Sequence, residues 1–123
     1  MPGARKMEII RRKDVDNIDR GGYRIKRLFT KIFQEPPSDI GFYETTIPKG
    51  GVCKEQWHEK SYEIVYFLTP GSAKLKDQVY TFDKGDLVIL DPGEKHEWQA
   101  TNQELIVFAM RLPHLIEDKY TTE

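Results

Sequence analysis

The stretch Gly50-Gly51-Val52-Cys53-Lys54-Glu55-Gln56-Trp57-His58-Glu59-Lys60-Ser61-Tyr62-Glu63-Ile64-Val65-Tyr66-Phe67-Leu68 decides how this chain folds. A glycine pair turns the backbone into a β-type run, Val52 to Trp57. The following run, Tyr62 to Leu68, is apolar on both faces except at Glu63, as a central strand covered on both sides should be. Strand periodicity puts Val52, Lys54, Gln56 and His58 on one face, and Cys53, Glu55 and Trp57 on the other. Glu63, Val65 and Phe67 then share a face, while Tyr62, Ile64, Tyr66 and Leu68 point away. A carboxylate heading an apolar strand is costly to bury unless a cation or donor meets it. With His58 just across a short turn, a metal ion is the most economical partner for Glu63.

A second stretch, Gly85-Asp86-Leu87-Val88-Ile89-Leu90-Asp91-Pro92-Gly93-Glu94-Lys95-His96, repeats the context of a histidine just past a turn. Two hairpins of this kind converge on one cavity. His58, His96 and Glu63 make two imidazoles and one carboxylate, the ligand set of a catalytic divalent-metal site with open positions. Trp98 falls on the His96 face and walls the site off from water. A single histidine is more often a surface or hydrogen-bonding residue, and Glu63 alone would pair with Lys60. The joint pattern of glycines, spacing and strand context is what carries the metal reading. His114 follows Pro113 in an ordinary C-terminal context and stays outside the site.

Outward from these stretches, β-type runs bounded by Gly, Pro, Asp and Lys recur, as in an all-β sandwich or barrel. Expected strands are Tyr23 to Phe29, Gly41 to Ile47, Ala73 to Lys76, Val79 to Phe82, Leu87 to Leu90, the neighbourhood of Trp98, and Leu105 to Leu112. Pro36-Pro37-Ser38-Asp39 breaks the chain, Asp77-Gln78 centres a tight hairpin, and Leu115 to Tyr120 is a short helix or ordered tail. The organisation expected is an N-terminal extension over 1–20, a barrel over 21–113 and a C-terminal tail over 114–123.

The 123 residues suffice for one domain with its own core. Charged residues reach 32%, yet the net charge is -1, which argues against a nucleic-acid footprint. Arg11-Arg12-Lys13 is followed by Asp14, Asp16 and Asp19 and reads as a solvated face rather than a phosphate patch. A single cysteine, Cys53, excludes an internal disulfide. No apolar run approaches the roughly 18 residues of a membrane span, so the expectation is a soluble cytoplasmic protein with no membrane or nucleic-acid partner. Phosphate loop, Ser-His-Asp and dinucleotide patterns are lacking.

At these residues the chain resembles the cupin superfamily, in its small single-domain form with a conserved type 2 barrel. The family's first motif, Gly-x5-His-x-His-x3,4-Glu-x6-Gly, corresponds to Gly50 through Gly71, with Gln56 at the first His position and His58 and Glu63 at the next two. The second motif, Gly-x5-Pro-x-Gly-x2-His-x3-Asn, corresponds to Gly85 through Ala100, with Asp91 in place of Pro and Ala100 in place of Asn. The resemblance covers roughly Gly41 to Leu112 and implies a double-stranded β-helix, or jelly-roll, barrel. It implies a divalent metal (Fe, Zn, Mn or Ni) held by Gln56, His58, Glu63 and His96. Gln56 offers a neutral amide oxygen, a harder and weaker ligand than imidazole.

Two functions follow from the resemblance. One is a metal-dependent enzyme acting on a sugar or another polar hydroxy-carbonyl or carboxylate metabolite, as isomerases, epimerases and dioxygenases of the superfamily do. Lys54 on the expected inner face would then anchor substrate, and Glu44 would serve as acid or base. The alternative is a non-catalytic module that binds a small metabolite. The apolar outer stripe Tyr62, Ile64, Tyr66 and Leu68 is expected to pack on a second sheet or subunit, and a homodimer is expected.

Overall fold

The computed structural model describes residues 7–33, 38–114 and 118–121. Pro36, Pro37 and residues 115–117, within the expected break and the expected terminal helix, lie outside them. The described chain forms strands β1 (Glu8–Ile10), β2 (Ile18–Asp19), β3 (Arg24–Ile25), β4 (Gly41–Ile47), β5 (Val52–Trp57) and β6 (Tyr62–Phe67). It continues with β7 (Gly71–Leu75), β8 (Gln78–Phe82), β9 (Leu87–Leu90), β10 (His96–Gln99), β11 (Leu105–Leu112) and β12 (Tyr120–Thr121). One five-stranded sheet runs β1-β9-β6-β11-β4, and the other runs β12-β5-β10-β7-β8. All pairings are antiparallel, and from β4 onward the chain crosses repeatedly between the sheets. This is the all-β double-stranded β-helix.

The alternation of side chains in β6 and β11 builds the barrel interior. Val65 and Phe67 meet Val107 and Ala109 inside, with Leu75, Val88, Leu90 and Trp98 completing the core. Phe67 stacks on Phe82 at 4.4 Å between centroids and meets Trp98 edge-on at 5.9 Å. At the β7–β8 hairpin Leu75 pairs with Gln78, so the turn residues are Lys76 and Asp77. Both have positive φ, 53° and 63°, the type I′ geometry that matches strand twist. The turn therefore sits one residue before the Asp77-Gln78 centre expected from sequence.

The outer face of β6 is covered by the protein's own N-terminal third. Ile64, Leu87, Ile89 and Leu112 form a second apolar cluster with Leu28, Phe29 and Phe33. Of the strand expected over Tyr23 to Phe29, only Arg24–Ile25 pairs with a neighbour, in the small β2–β3 hairpin. The residues after it cover the sheet with side chains rather than extend it through backbone hydrogen bonds. Lys31 fastens this strap, with Nζ 2.8 Å from Asp91 Oδ1 and 5.0 Å from the Tyr62 ring centroid.

The basic run Arg11-Arg12-Lys13 is not simply a solvated face. Arg11 Nη1 donates to Asp86 Oδ2 at 3.0 Å and to the Thr81 carbonyl at 2.6 Å, and its guanidinium lies 4.8 Å over Phe82. Asp86 is buried and also accepts from the backbone N–H groups of Arg12 and Asp83. Gly85, at φ +90°, permits this fit, since a Cβ there would lie 2.3 Å from Arg12 Cδ. Arg11→Ala should leave a buried carboxylate without its cation. The expected loss is about 2 kcal/mol in urea unfolding, below the roughly 3–5 kcal/mol of a fully buried pair because the Arg11 side chain is 30% exposed.

Candidate metal centre

Turns at the ends of β5 and β9 deliver the two histidines, and one hydrogen bond ties the turns together: Gly93 N–H donates to the His58 carbonyl at 2.6 Å. Glu63 enters from the first residues of β6. His58 Nε2 lies 3.3 Å and His96 Nε2 3.1 Å from Glu63 Oε1. All three side chains are buried, and one ligand atom from each lies within 4.8 Å of the others. Each Nδ1 faces a backbone carbonyl, of Asp118 at 2.6 Å for His58 and of Glu94 at 3.1 Å for His96. A carbonyl can only accept, so each Nδ1 carries a proton, and a neutral ring then turns a bare Nε2 lone pair toward the carboxylate.

Three electron-rich atoms facing one another repel unless a cation lies among them. His58 Nε2, His96 Nε2, Glu63 Oε1 and Gln56 Oε1 are all buried without a hydrogen-bond partner. Donors about 2.1 Å from a common ion sit roughly 3.0–3.4 Å apart in octahedral or tetrahedral geometry, the range of the two observed contacts. The residues therefore fit a divalent cation. Burial alone would raise the Glu63 carboxyl; positive charge on the two imidazoles outweighs it and holds that group well below the ordinary carboxylate range, and a metal ion would take that place where the rings are neutral.

Gln56 lines the cavity beside the centre, at the end of a bulge in β5. Gln56 pairs with His96, but Cys53 pairs with Trp98, so two residues of β5 oppose Glu97. The extra residue breaks the alternation expected from sequence and turns Cys53 and Gln56 to the same side. Gln56 Nε2 donates to Cys53 Sγ at 3.5 Å, leaving its oxygen as the free end. The same bulge removes Lys54 from the inner face. Lys54 is exposed, as is Glu44, which sits opposite Phe108 with the inward positions of β4 taken by Tyr43 and Thr45. Neither lines the cavity, so the substrate-anchor and acid–base roles expected for them do not fit the structure.

A cavity of about 310 Å³ opens beside the cluster, walled by residues of both sheets that include Gln56, Glu63 and Trp98. No protein-family model and no curated protein matches the chain. Solved structures do. The fold is similar to a double-stranded β-helix protein of Klebsiella pneumoniae, TM-score 0.63 and 14% identical, over 79% of this chain and 97% of that one. A cupin protein of Bacteroides fragilis, TM-score 0.57 and 15% identical, matches over 76% of this chain and 89% of its own. A predicted oxalate decarboxylase of Thermotoga maritima, TM-score 0.54, is 27% identical over 58% of this chain and 64% of that one. The chain has the double-stranded β-helix fold of these proteins. It spans slightly less than two thirds of the Thermotoga protein's length.

Several cavity residues went unread in the sequence. Arg111 carried a signal: it continues the inward series Leu105, Val107, Ala109 along β11. Tyr43 lines the cavity, and its hydroxyl is hydrogen-bonded to Nε2 of His114, which does have a structural context after all. A Cβ at Gly41 would lie 2.4 Å from the His114 ring, so that glycine makes room for the imidazole. Lys119 and Asp118 gave no pattern to read.

Asp118 is the support behind His58. Its carbonyl fixes the His58 ring, and its buried carboxylate accepts from the N–H groups of Glu59, Lys60 and Ser61 at 2.9, 2.8 and 2.9 Å. Strand β12 follows directly and pairs with β5. Burial raises the Asp118 carboxyl, yet these donors overcome it and hold the group below its usual value. A depressed native value stabilises the fold above the unfolded-state value of about 3.9 and loses that contribution as pH falls toward the native one. Asp118→Asn should therefore unfold at lower urea than wild type at pH 7, with the gap closing below about pH 4. It should also weaken metal binding by about tenfold through loosened His58, measurable by competition with a chromogenic chelator.

Proposed function

We propose that this chain is a cupin and a metal-dependent enzyme acting on a small polar hydroxy-carbonyl, sugar or carboxylate metabolite, by isomerase/epimerase-type or dioxygenase-type chemistry. The observation that carries it is the set of four buried, unpartnered donor atoms of Gln56, His58, Glu63 and His96 beside a cavity. A bound divalent ion supplies Lewis acidity or oxygen activation there. His58 and His96, oriented through their Nδ1 hydrogen bonds, and Glu63 would hold it, with the Gln56 oxygen as the neutral fourth donor. Trp98 and the apolar core exclude water from one side. Tyr43, its hydroxyl hydrogen-bonded to His114, stands in the cavity wall and replaces Glu44 as the acid–base candidate.

Gln56 favours one second reading, a non-catalytic module that binds a metabolite. An amide oxygen is a weaker donor than the imidazole that the family motif places there. Elemental analysis and turnover assays separate the two. The enzyme reading expects about one transition-metal ion per chain after reconstitution and conversion of substrate that stops on chelation and returns with metal. At free metal about 100-fold above Kd, bound ion should add about 2.7 kcal/mol of stability, and His96→Ala should abolish that gain. No bound metal after reconstitution defeats the enzyme reading; bound metal with no turnover on sugars, hydroxy-carbonyls, carboxylates or with oxygen favours the module.

A cytoplasmic homodimer belongs to the same reading. Among the described residues no helix is long and apolar enough to cross a membrane. Phe42, 62% exposed, stacks on Phe108 at 5.9 Å on the outside of edge strand β4, an apolar pair suited to a second subunit. Light scattering should give about twice the 14.4 kDa chain mass, and Phe42→Glu should return it to one chain.

A further inference from the structure

We propose that the cavity takes a small carboxylate with an apolar body, gripped at its carboxylate end by Arg111. This inference rests on the metal-dependent reading and narrows its substrate class. Two cations, Arg111 and Lys119, line the cavity against one carboxylate, Glu63. Arg111 lies directly across the β11–β6 pairing from Glu63, yet its Nη2 is 3.6 Å from Glu63 Oε2, inside ion-pair range and beyond a hydrogen bond. Its Nε is buried without a partner, and the side chain is only 11% exposed. The Tyr43 ring, 4.7 Å from the Arg111 Cζ, holds the guanidinium flat.

A buried guanidinium with open N–H donors is a costly arrangement that a two-oxygen anion relieves. The charge sum points the same way. A divalent ion at +2, Glu63 at -1, and Arg111 and Lys119 at +1 each leave the loaded cavity at +3. The planar fork of arginine matches a carboxylate with two parallel hydrogen bonds. Beyond that end the wall turns mostly apolar, through Val65, Val107 and Ala109, with Thr45 across from Val107 adding one hydroxyl. Hydroxyl groups of a sugar set against it would lose water without finding partners, whereas a hydrocarbon body would not. At roughly 30 Å³ per water-sized group, the 310 Å³ cavity holds about ten, the scale of a compact monocarboxylate.

The test is calorimetric titration of zinc-reconstituted and of metal-free protein with benzoate, butyrate, benzamide, inorganic phosphate and glucose. Benzoate or butyrate should bind at least about tenfold more tightly than the neutral isostere benzamide, and more tightly than phosphate or glucose. Arg111→Gln should weaken carboxylate binding by about tenfold while leaving zinc stoichiometry and benzamide binding unchanged; Lys119→Gln should give a smaller loss. Equal binding of benzoate and benzamide, carboxylate binding unchanged in Arg111→Gln, tighter binding of phosphate or glucose, or no heat from either carboxylate at millimolar concentration overturns the proposal. If Arg111→Gln fails to fold, the comparison of benzoate with benzamide on metal-free wild type decides, because no ion is then present to attract the anion. Zinc bound without charge selectivity sinks the carboxylate inference alone, and arginine-dependent selectivity in a protein that binds no metal sinks the metal reading alone.

Discussion

Glu63 is a carboxylate placed where a β-sheet interior would otherwise be hydrocarbon, and the rest of the site is arranged around that cost. Its neighbours along the inner face of β6 are Val65 and Phe67, both fully buried. An isolated charge there would forfeit several kcal/mol of hydration. Each imidazole is committed through Nδ1 to a carbonyl, so neither offers the carboxylate a proton while neutral. The arrangement is thus stable with a cation among the three groups, whether a metal ion or protons on the rings. The unpartnered Gln56 oxygen tips the balance toward a metal, because protonated rings would leave that atom without a donor.

Holding the three groups in place falls to segments far apart in the chain. The turn after β5 carries His58, and the turn before β10 carries His96; the Gly93–His58 hydrogen bond sets their spacing. Behind His58 stands Asp118, sixty residues later, which satisfies three N–H groups of the β5–β6 turn and the His58 ring at once. On the opposite side of β6, Leu28, Phe29 and Phe33 press on Ile64 while Lys31 reaches Asp91 in the His96 turn. The N-terminal strap and the C-terminal segment therefore brace one turn each, and the Gly93–His58 hydrogen bond joins the two. Fixing these turns is what lets ligand atoms be held close enough to share one ion.

What the sequence made legible was whatever depends on local period. The run Tyr62 to Leu68 announced a covered strand, and the glycine-bounded histidines announced two turns meeting at Glu63. Lys54 shows where that reasoning stops. A bulge adds one residue to the count, reverses every face on one side of it, and leaves no reliable residue signature. Tertiary cover was equally silent: Leu28 to Phe33 satisfies its apolar side chains against β6 without joining the ladder, so strand-like composition did not become a strand. Asp118 and Lys119 act through contacts across half the chain. Arg111, by contrast, was readable from the alternation of β11, had the inward face been followed past its last apolar residue.

The bulge also bears on which end of the Gln56 amide faces the cavity. By turning Cys53 inward it supplies a sulfur partner for the Gln56 amide nitrogen, and the amide oxygen is then the end left for an ion. A thiolate at that position would compete for the same ion as a softer, stronger ligand. Burial pushes the Cys53 thiol up, against the pull of Lys119 and together with Glu63 and Glu97, so the sulfur stays protonated. A neutral thiol orients the glutamine without displacing it. The four donor atoms thus carry one negative charge, that of Glu63, and a divalent ion among them would keep a net positive charge beside the cavity.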